Sequence, residues 1–409
     1  MVLRRTASQM LGGLALAAGL TSAGYAQTVP GVTDTEIKIG MFSPLSGPLA
    51  AYGTDPLNAA KSYFEKINDE GGINGRKIVY EVEDDKCTPA EANTIVRKYI
   101  NDGVFLLLGG SCSGSTVSIQ ELVNQEKIPH FMLNASGDAG VYPPTEYQFG
   151  SAPGTQRATL AAVMQYAIEG LGAKSVGVLG PDDAMGTSAM EMIHAMAEKH
   201  GVEVVANEIV PNNATDVTVP VLNVQSADPD VIILTTYAPP TTLIMKKVVE
   251  FGLLDTPIIS AIQGISNTVD FVKSLDGDTS GLENFYYAHP LVAESMDDPE
   301  LKPWKELMVK YFPERPEPGI IGAYGFPHAM AIVDAIERAG PDLTRESFMA
   351  AIDETEIDTG VMAAPTVFTA GRRDSSRGQI IVKFDGSTVE RVGGPYIWDE
   401  LIDPATFDK

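Results

Sequence analysis

Two short polar segments carry the residues best suited to hold a ligand. Gly109-Gly110-Ser111-Cys112-Ser113-Gly114-Ser115-Thr116 follows the apolar run Val104 to Leu108 and opens a helical stretch. Small residues let a ligand approach the backbone, and free N–H groups with hydroxyls at a helix N-terminus favour an anion such as a carboxylate. The same residues also suit a plain Gly/Ser turn with a hydroxyl capping the next helix. A second segment, Asn134-Ala135-Ser136-Gly137-Asp138, lies just beyond the apolar run Ile128 to Leu133. It too reads as a simple turn when taken alone. Loops that follow neighbouring strands converge on one point, and that convergence favours a binding role.

Cys112 sits inside Gly110-Ser111-Cys112-Ser113-Gly114, which superficially resembles a nucleophile elbow. A hydrolase built on Cys112 or Ser113 would need a general base, and no Ser/His/Asp arrangement presents itself. The chain holds 2 cysteines, Cys87 and Cys112. In an exported protein a pair of this kind is expected to form a disulfide. The histidines His130, His194, His200, His289 and His328 show no useful metal-ligand spacing. Neither a metal nor a cofactor is expected.

The elements around these segments alternate between strand and helix. Glu36 to Ser43 has strand character, Pro56 to Asn68 reads as a helix, and Lys77 to Glu83 is strand again. Pro89 to Asn101 and Ser115 to Glu126 are helical and separate the two apolar runs. Buried strands divided by helices indicate a parallel α/β sheet. The pattern restarts after Phe149-Gly150-Ser151-Ala152-Pro153-Gly154, with strands at Ser175 to Leu179, Val202 to Ile209, Val231 to Thr235 and Pro257 to Ala261. An extended segment near Leu282 to Pro290 precedes helices from Pro299 to Ile352, and the last stretch reads as strands and turns. Two doubly wound α/β lobes would place a ligand cleft between their strand ends.

Residues 1–26 have the layout of a cleaved signal peptide: Arg4 and Arg5, an apolar run from Met10 to Leu20, then Gly24-Tyr25-Ala26. Export to the periplasm is therefore expected. The 409 residues carry 29 basic and 54 acidic side chains. Without the two leader arginines the balance is 27 against 54, a net of −27. Nucleic acid is excluded as a partner on that charge.

The run Ile37-Lys38-Ile39-Gly40 to Ser46-Gly47-Pro48, then Asn68 to Gly75, Asp84-Asp85-Lys86-Cys87-Thr88-Pro89 and Cys112-Ser113, together resemble the branched-chain amino-acid-binding family. These are type I periplasmic binding proteins of ABC transporters. The resemblance covers about Glu36 to Gly393 and implies two doubly wound parallel-sheet lobes joined by a three-segment hinge that closes on ligand. The expected division is 34–152 plus 284–361 for the N-terminal lobe and 153–283 plus 362–409 for the C-terminal lobe. It implies an ABC permease as partner, a small-molecule ligand and a monomeric protein.

Carried onto this chain, the family pattern gives Cys87 and Cys112 the disulfide and Ser113 the ligand carboxylate. The Asn134 carbonyl and Ser136 match the next loop's contacts, with Ala135 between them. Tyr52 matches an aromatic at the cleft mouth, and Tyr237 one that covers the ligand on closure. Tyr324, with Phe326, is a further candidate near the hinge. Tyr286, Tyr287 and His289 are expected to serve packing on a crossover.

Two departures touch recognition. Met185-Gly186 stands where amino-acid binders place an aromatic before glycine. Gln263, in Ala261-Ile262-Gln263-Gly264, stands where they place an acid for the ligand's ammonium. A buried ammonium without a carboxylate is costly, so a small organic acid, with aromatic carboxylates among the candidates, is expected ahead of a free amino acid. Asp182 or Asp183 is the alternative partner for an ammonium. Branched-chain amino acids, amides and a role as a ligand sensor for a membrane receptor remain as alternatives.

Overall fold

A computed structural model describes residues 29–261, 264–265, 268–293, 295–403 and 406. The expected leader at 1–26 and Gln263 lie outside the described residues. The first sheet has five strands in the order β2-β1-β3-β4-β5: Lys77–Asp84, Glu36–Ser43, Leu106–Gly109, His130–Met132 and Gln148–Phe149. All of its pairings are parallel. Every residue of β3 is buried, as an apolar strand covered on both faces must be. Helices α1 (Ala51–Asp69), α2 (Pro89–Asn101) and α3 (Ser113–Gln125) connect these strands.

The second sheet has seven strands in the order β15-β14-β10-β9-β8-β6-β7. Its parallel part is β6 (Ser175–Gly180), β7 (Glu203–Ile209), β8 (Val231–Leu234), β9 (Ile258–Ser260) and β10 (Phe285–His289). β14 (Gly378–Phe384) pairs antiparallel with β10, and β15 (Val389–Ile397) antiparallel with β14. Helices α4 (Gln156–Glu169), α5 (Ala184–His200), α6 (Thr218–Ser226) and α7 (Ala238–Glu250) belong to this lobe.

The chain passes between the sheets three times, after β5, after β10 and between β13 (Arg372–Ser375) and β14. Two of these crossings come later than the sequence suggested. β10 hydrogen-bonds to β9 through Phe285↔Ile258 and Tyr287↔Ser260, which anchors 285–289 in the second sheet and not in the first lobe. The small antiparallel sheet β11 (Thr355–Ile357), β12 (Thr366–Thr369) and β13 sends Phe368 into the first lobe's core, 5.2 Å from Phe149 and 5.9 Å from Phe131. Residues 362–375 therefore sit with the first lobe. Sheet pairing and core burial decided both places, and neither leaves a mark on local sequence. The first lobe is completed by α9 (Lys302–Tyr311), α10 (Gly325–Ala339) and α11 (Arg345–Ile352).

Each sheet reverses its winding once, between β1 and β3 in the first and between β6 and β8 in the second. Those switch points open crevices at the carboxyl ends of the strands. They place 43–52 and 109–116 on one side and 180–186 and 235–238 on the other.

Candidate ligand-binding site

On the first lobe, Gly110 at φ +81° turns the chain out of β3, a conformation that suits glycine. The Ser111 hydroxyl donates to the Tyr52 carbonyl at 2.8 Å and lies 2.6 Å from Ser43 Oγ. With its one proton given to Tyr52, Ser111 accepts from Ser43, so it shapes the turn. Cys112 caps α3 and is bonded to Cys87, with Cα atoms 5.5 Å apart. Ser113 then begins the helix, buried to 1% exposure, and its Oγ accepts the Gly137 amide at 2.9 Å. The two polar segments singled out in the sequence are thereby joined directly.

In the second segment, the Ala135 carbonyl accepts from Ser151 Oγ at 2.6 Å, fixing the loop to the first crossing. The Ser136 carbonyl accepts the Gln156 amide at 2.7 Å, and Ser136 Oγ donates to Gln156 Oε1 at 3.2 Å. That bond leaves Gln156 Nε2 pointing elsewhere. Gln156 Nε2 and Asn134 Nδ2 are both buried with no hydrogen-bond partner among the described residues. Gln156 was not among the candidates from sequence. Its only local signal is a polar residue opening α4 immediately after a crossing.

The second lobe supplies the opposing wall. Asp183 caps α5, its Oδ1 accepting the amides of Met185 at 3.0 Å and Gly186 at 3.1 Å, while Oδ2 accepts Asn212 Nδ2 at 3.1 Å. Met185 is buried in the same apolar cluster as Tyr52, Tyr237, Tyr287 and Tyr324, a cluster drawn from both lobes. Tyr237 packs edge-on against Tyr52 with ring centres 5.6 Å apart, and its hydroxyl lies near enough to Ser113 and Asp183 to feel both. The Tyr52 hydroxyl accepts the Ala238 amide at 3.3 Å. Burial pushes both phenols well above their ordinary range, so they stay neutral donors. Outside this contact a cavity of about 420 Å³ opens between Pro48, Tyr52, Pro239, Leu243 and Phe271.

The structure thus brings Tyr52, Ser113, Met185 and Tyr237 into contact or into one cluster, with Asn134, Ala135 and Ser136 held against Ser113 by Gly137. Tyr324 is wholly buried in the same cluster. Beside it, Asp138 donates its amide to Ser188 Oγ at 3.0 Å and pairs with Arg157 at 2.9 Å, so a first-lobe loop is held by α4 and α5. Asp182 is exposed and Asp183 is occupied as a cap.

Buried ionisable groups set a pH dependence. Burial lowers the ring of His289 to about 3 and those of His130 and His328 to about 4, and raises Asp138 to about 7 against the pull of Arg157. Between about pH 4 and 6.5 each histidine binds fewer protons folded than unfolded, so its contribution to stability falls as pH falls. Asp138 binds more protons when folded and acts the opposite way. Three histidines less one carboxyl leave about two protons taken up on unfolding near pH 5. Chemical denaturation should show stability dropping by roughly 2–3 kcal/mol per pH unit there. A flat profile from pH 7 to 5 would contradict the buried neutral state of these rings.

Among the described residues no group of three or more His, Cys, Asp or Glu side chains could hold a metal, and no helix is long and apolar enough to cross a membrane.

The family model for periplasmic binding proteins matches residues 36–386. The chain is 26% identical over 234 residues to the Leu/Ile/Val-binding protein BraC3 of Rhizobium johnstonii, a match covering 57% of this chain and 63% of that protein. It superposes with a TM-score of 0.80 on a fatty acid ABC transporter substrate-binding protein from Thermomonospora curvata, at 22% identity, covering 91% of this chain and 95% of that one. A solute-binding protein of Rhodopseudomonas palustris solved with 4-hydroxybenzoate gives a TM-score of 0.77 at 19% identity, over 89% of this chain and 98% of that one. These relatives are named as binding proteins for Leu/Ile/Val, a fatty-acid transporter's substrate and a transported solute. With its two doubly wound lobes and the match over 36–386, the chain belongs to the periplasmic binding protein family, as a type I member of the branched-chain amino-acid-binding branch.

Proposed function

We propose that the protein is the periplasmic solute-binding component of an ABC importer, closing on a small organic acid between its lobes. The observation that carries this reading is the pair of buried side-chain amide nitrogens, Asn134 Nδ2 and Gln156 Nε2, that have no partner among the described residues. Both donate only: Asn134 lies in the loop that Gly137 joins to Ser113 at the N-terminus of α3, and Gln156 opens α4 against Ser136 of that loop. Donors of this kind match a carboxylate. The helix end adds its partial positive charge.

The choice of an acid over an amino acid rests on charge. Gln263 replaces the family's acidic residue, and Asp183 is committed to two amides and Asn212. A ligand ammonium would lack a dedicated carboxylate, at a cost that scales as ~1.4 kcal/mol per pKa unit. The hinge closure, the permease, the periplasmic location and the monomeric state follow the family. Nucleic acid has no place with a chain of net charge −25. The branched-chain reading is supported by the similarity to Leu/Ile/Val-binding proteins.

Calorimetry on protein freed of bound ligand separates the two. Benzoate, hydroxybenzoates and short-chain acids should bind, and leucine and valine should not. Tight binding of leucine with the acids ignored would sink the organic-acid reading. Ser113→Ala should weaken the bound acid by about tenfold or more, the usual range for one hydrogen bond to a charged group. An unchanged affinity would remove Ser113 from the carboxylate site.

A further inference from the structure

The cluster behind Tyr52 and Tyr237 contains two polar groups that packing does not explain. β10 runs parallel to β9 and ends at His289, so this ring leaves the second sheet at the edge that carries Thr235 after β8 and Asp183 after β6. His289 is wholly buried, and its Nδ1 accepts the Leu291 amide at 3.1 Å. A neutral imidazole that accepts at Nδ1 carries its proton on Nε2. Burial keeps the ring neutral, and nothing among the described residues meets that Nε2–H. Tyr287 stacks on the ring with centres 5.9 Å apart and planes within 3°.

From the first lobe, Tyr324 reaches the same cluster, near enough to Tyr287 and Tyr52 to interact electrostatically with both. It is wholly buried, and its hydroxyl also has no partner among the described residues. Buried polar atoms in native structures are nearly always partnered, and the exceptions ask for a reason. Here one exception comes from each lobe: Tyr324 lies in the apolar cluster with Met185, Tyr52 and Tyr237, and His289 stacks on Tyr287 of that cluster.

We infer that His289 Nε2–H and the Tyr324 hydroxyl form the far wall of the binding site and recognise a neutral oxygen, a hydroxyl or a carbonyl, on an acid whose carboxylate is held at α3. This rests on the organic-acid reading above and names its distal group. A ligand hydroxyl accepts from His289 and donates to Tyr324 at once. An ammonium would bring donors against a donor. A second carboxylate would be buried facing two neutral groups instead of a cation, which is costly. His289, expected from sequence to serve packing, becomes a specificity residue.

The probes are benzoate and 4-hydroxybenzoate, which differ by one distal hydroxyl, titrated calorimetrically into the mature protein and its Tyr324→Phe and His289→Phe variants. Tyr324→Phe removes one oxygen and keeps the packing, and thermal unfolding checks that His289→Phe still folds. The wild type should prefer the hydroxy acid by at least about tenfold, because a site built to bond a hydroxyl rejects the analogue lacking it. Tyr324→Phe should bring the two acids to within about threefold, chiefly by lowering the affinity for 4-hydroxybenzoate. Equal binding of both acids by the wild type, or a preference untouched in both variants, overturns the inference and leaves the organic-acid reading standing. Binding of neither acid removes the ligand class itself and the inference with it.

Discussion

Asp374→Ala is expected to lower the free energy of unfolding by about 3–5 kcal/mol, the cost of removing one partner from a buried ionic network. The residue is 1% exposed and lies at the third crossing between the lobes. Its Oδ1 accepts from Arg372 Nε and Arg377 Nη2, each at 3.2 Å. Its Oδ2 accepts from Arg377 Nε at 2.7 Å and from the Tyr142 hydroxyl at 2.6 Å. Arg377 continues to Asp399 at 2.6 Å, and its guanidinium lies 5.1 Å from the Trp398 ring centre. One carboxylate thus ties a first-lobe loop at Tyr142 to the last helix of the second lobe. Alanine would leave two guanidinium groups and a phenol without their shared acceptor. Denaturant midpoints of the variant and wild type give the number directly. A loss below about 1 kcal/mol would mean that solvent or Asp399 takes over the arginines, and that the crossing is not held by this residue.

Loss of the Cys87–Cys112 bond is expected to cost about 3.5 kcal/mol, from the chain entropy released when a 25-residue span is opened. The bond ties the loop after β2 to the residue that caps α3. Cys87, at φ +59°, and Lys86, at φ +50°, sit in the left-handed region, held there while Asp85 Oδ1 accepts the Cys87 amide at 2.9 Å. Ser113 follows Cys112 directly, so the cost should extend to binding. The double Cys87→Ala, Cys112→Ala variant should unfold at lower denaturant, with a slope no shallower than the wild type's because the unfolded chain loses its cross-link. Its affinity for the acid ligand should fall as well. Stability lost with affinity intact would show that α3 keeps its N-terminus in place without the bridge.

Much of this protein was legible in its residues. The apolar runs at Val104 to Leu108 and Val231 to Thr235 declared buried parallel strands, because only strands covered on both faces tolerate such unbroken apolarity. The polar segments after Val104 to Leu108 and Ile128 to Leu133 could be picked out as candidates from sequence, since a strand-to-helix turn close to a ligand needs small residues and free amides. Two cysteines in a chain expected to be exported pointed to the Cys87–Cys112 bridge.

Gln156 and His289 were not legible as candidates for the proposed site. Each is one polar residue in an ordinary helix or strand, and what distinguishes them is an unmet hydrogen-bonding atom, which exists only after the chain has buried it. The places of the second and third crossings were hidden for a related reason. Whether 285–289 pairs with β9, and whether Phe368 enters the first lobe's core, depends on partners far away in the chain. Local periodicity reports which face of an element is apolar, and so the sequence by itself determined the two lobes, the disulfide and the polar loops. Only the tertiary structure decided which lobe receives each returning segment and which polar atoms are buried without a hydrogen-bond partner among the described residues, because both are outcomes of long-range packing.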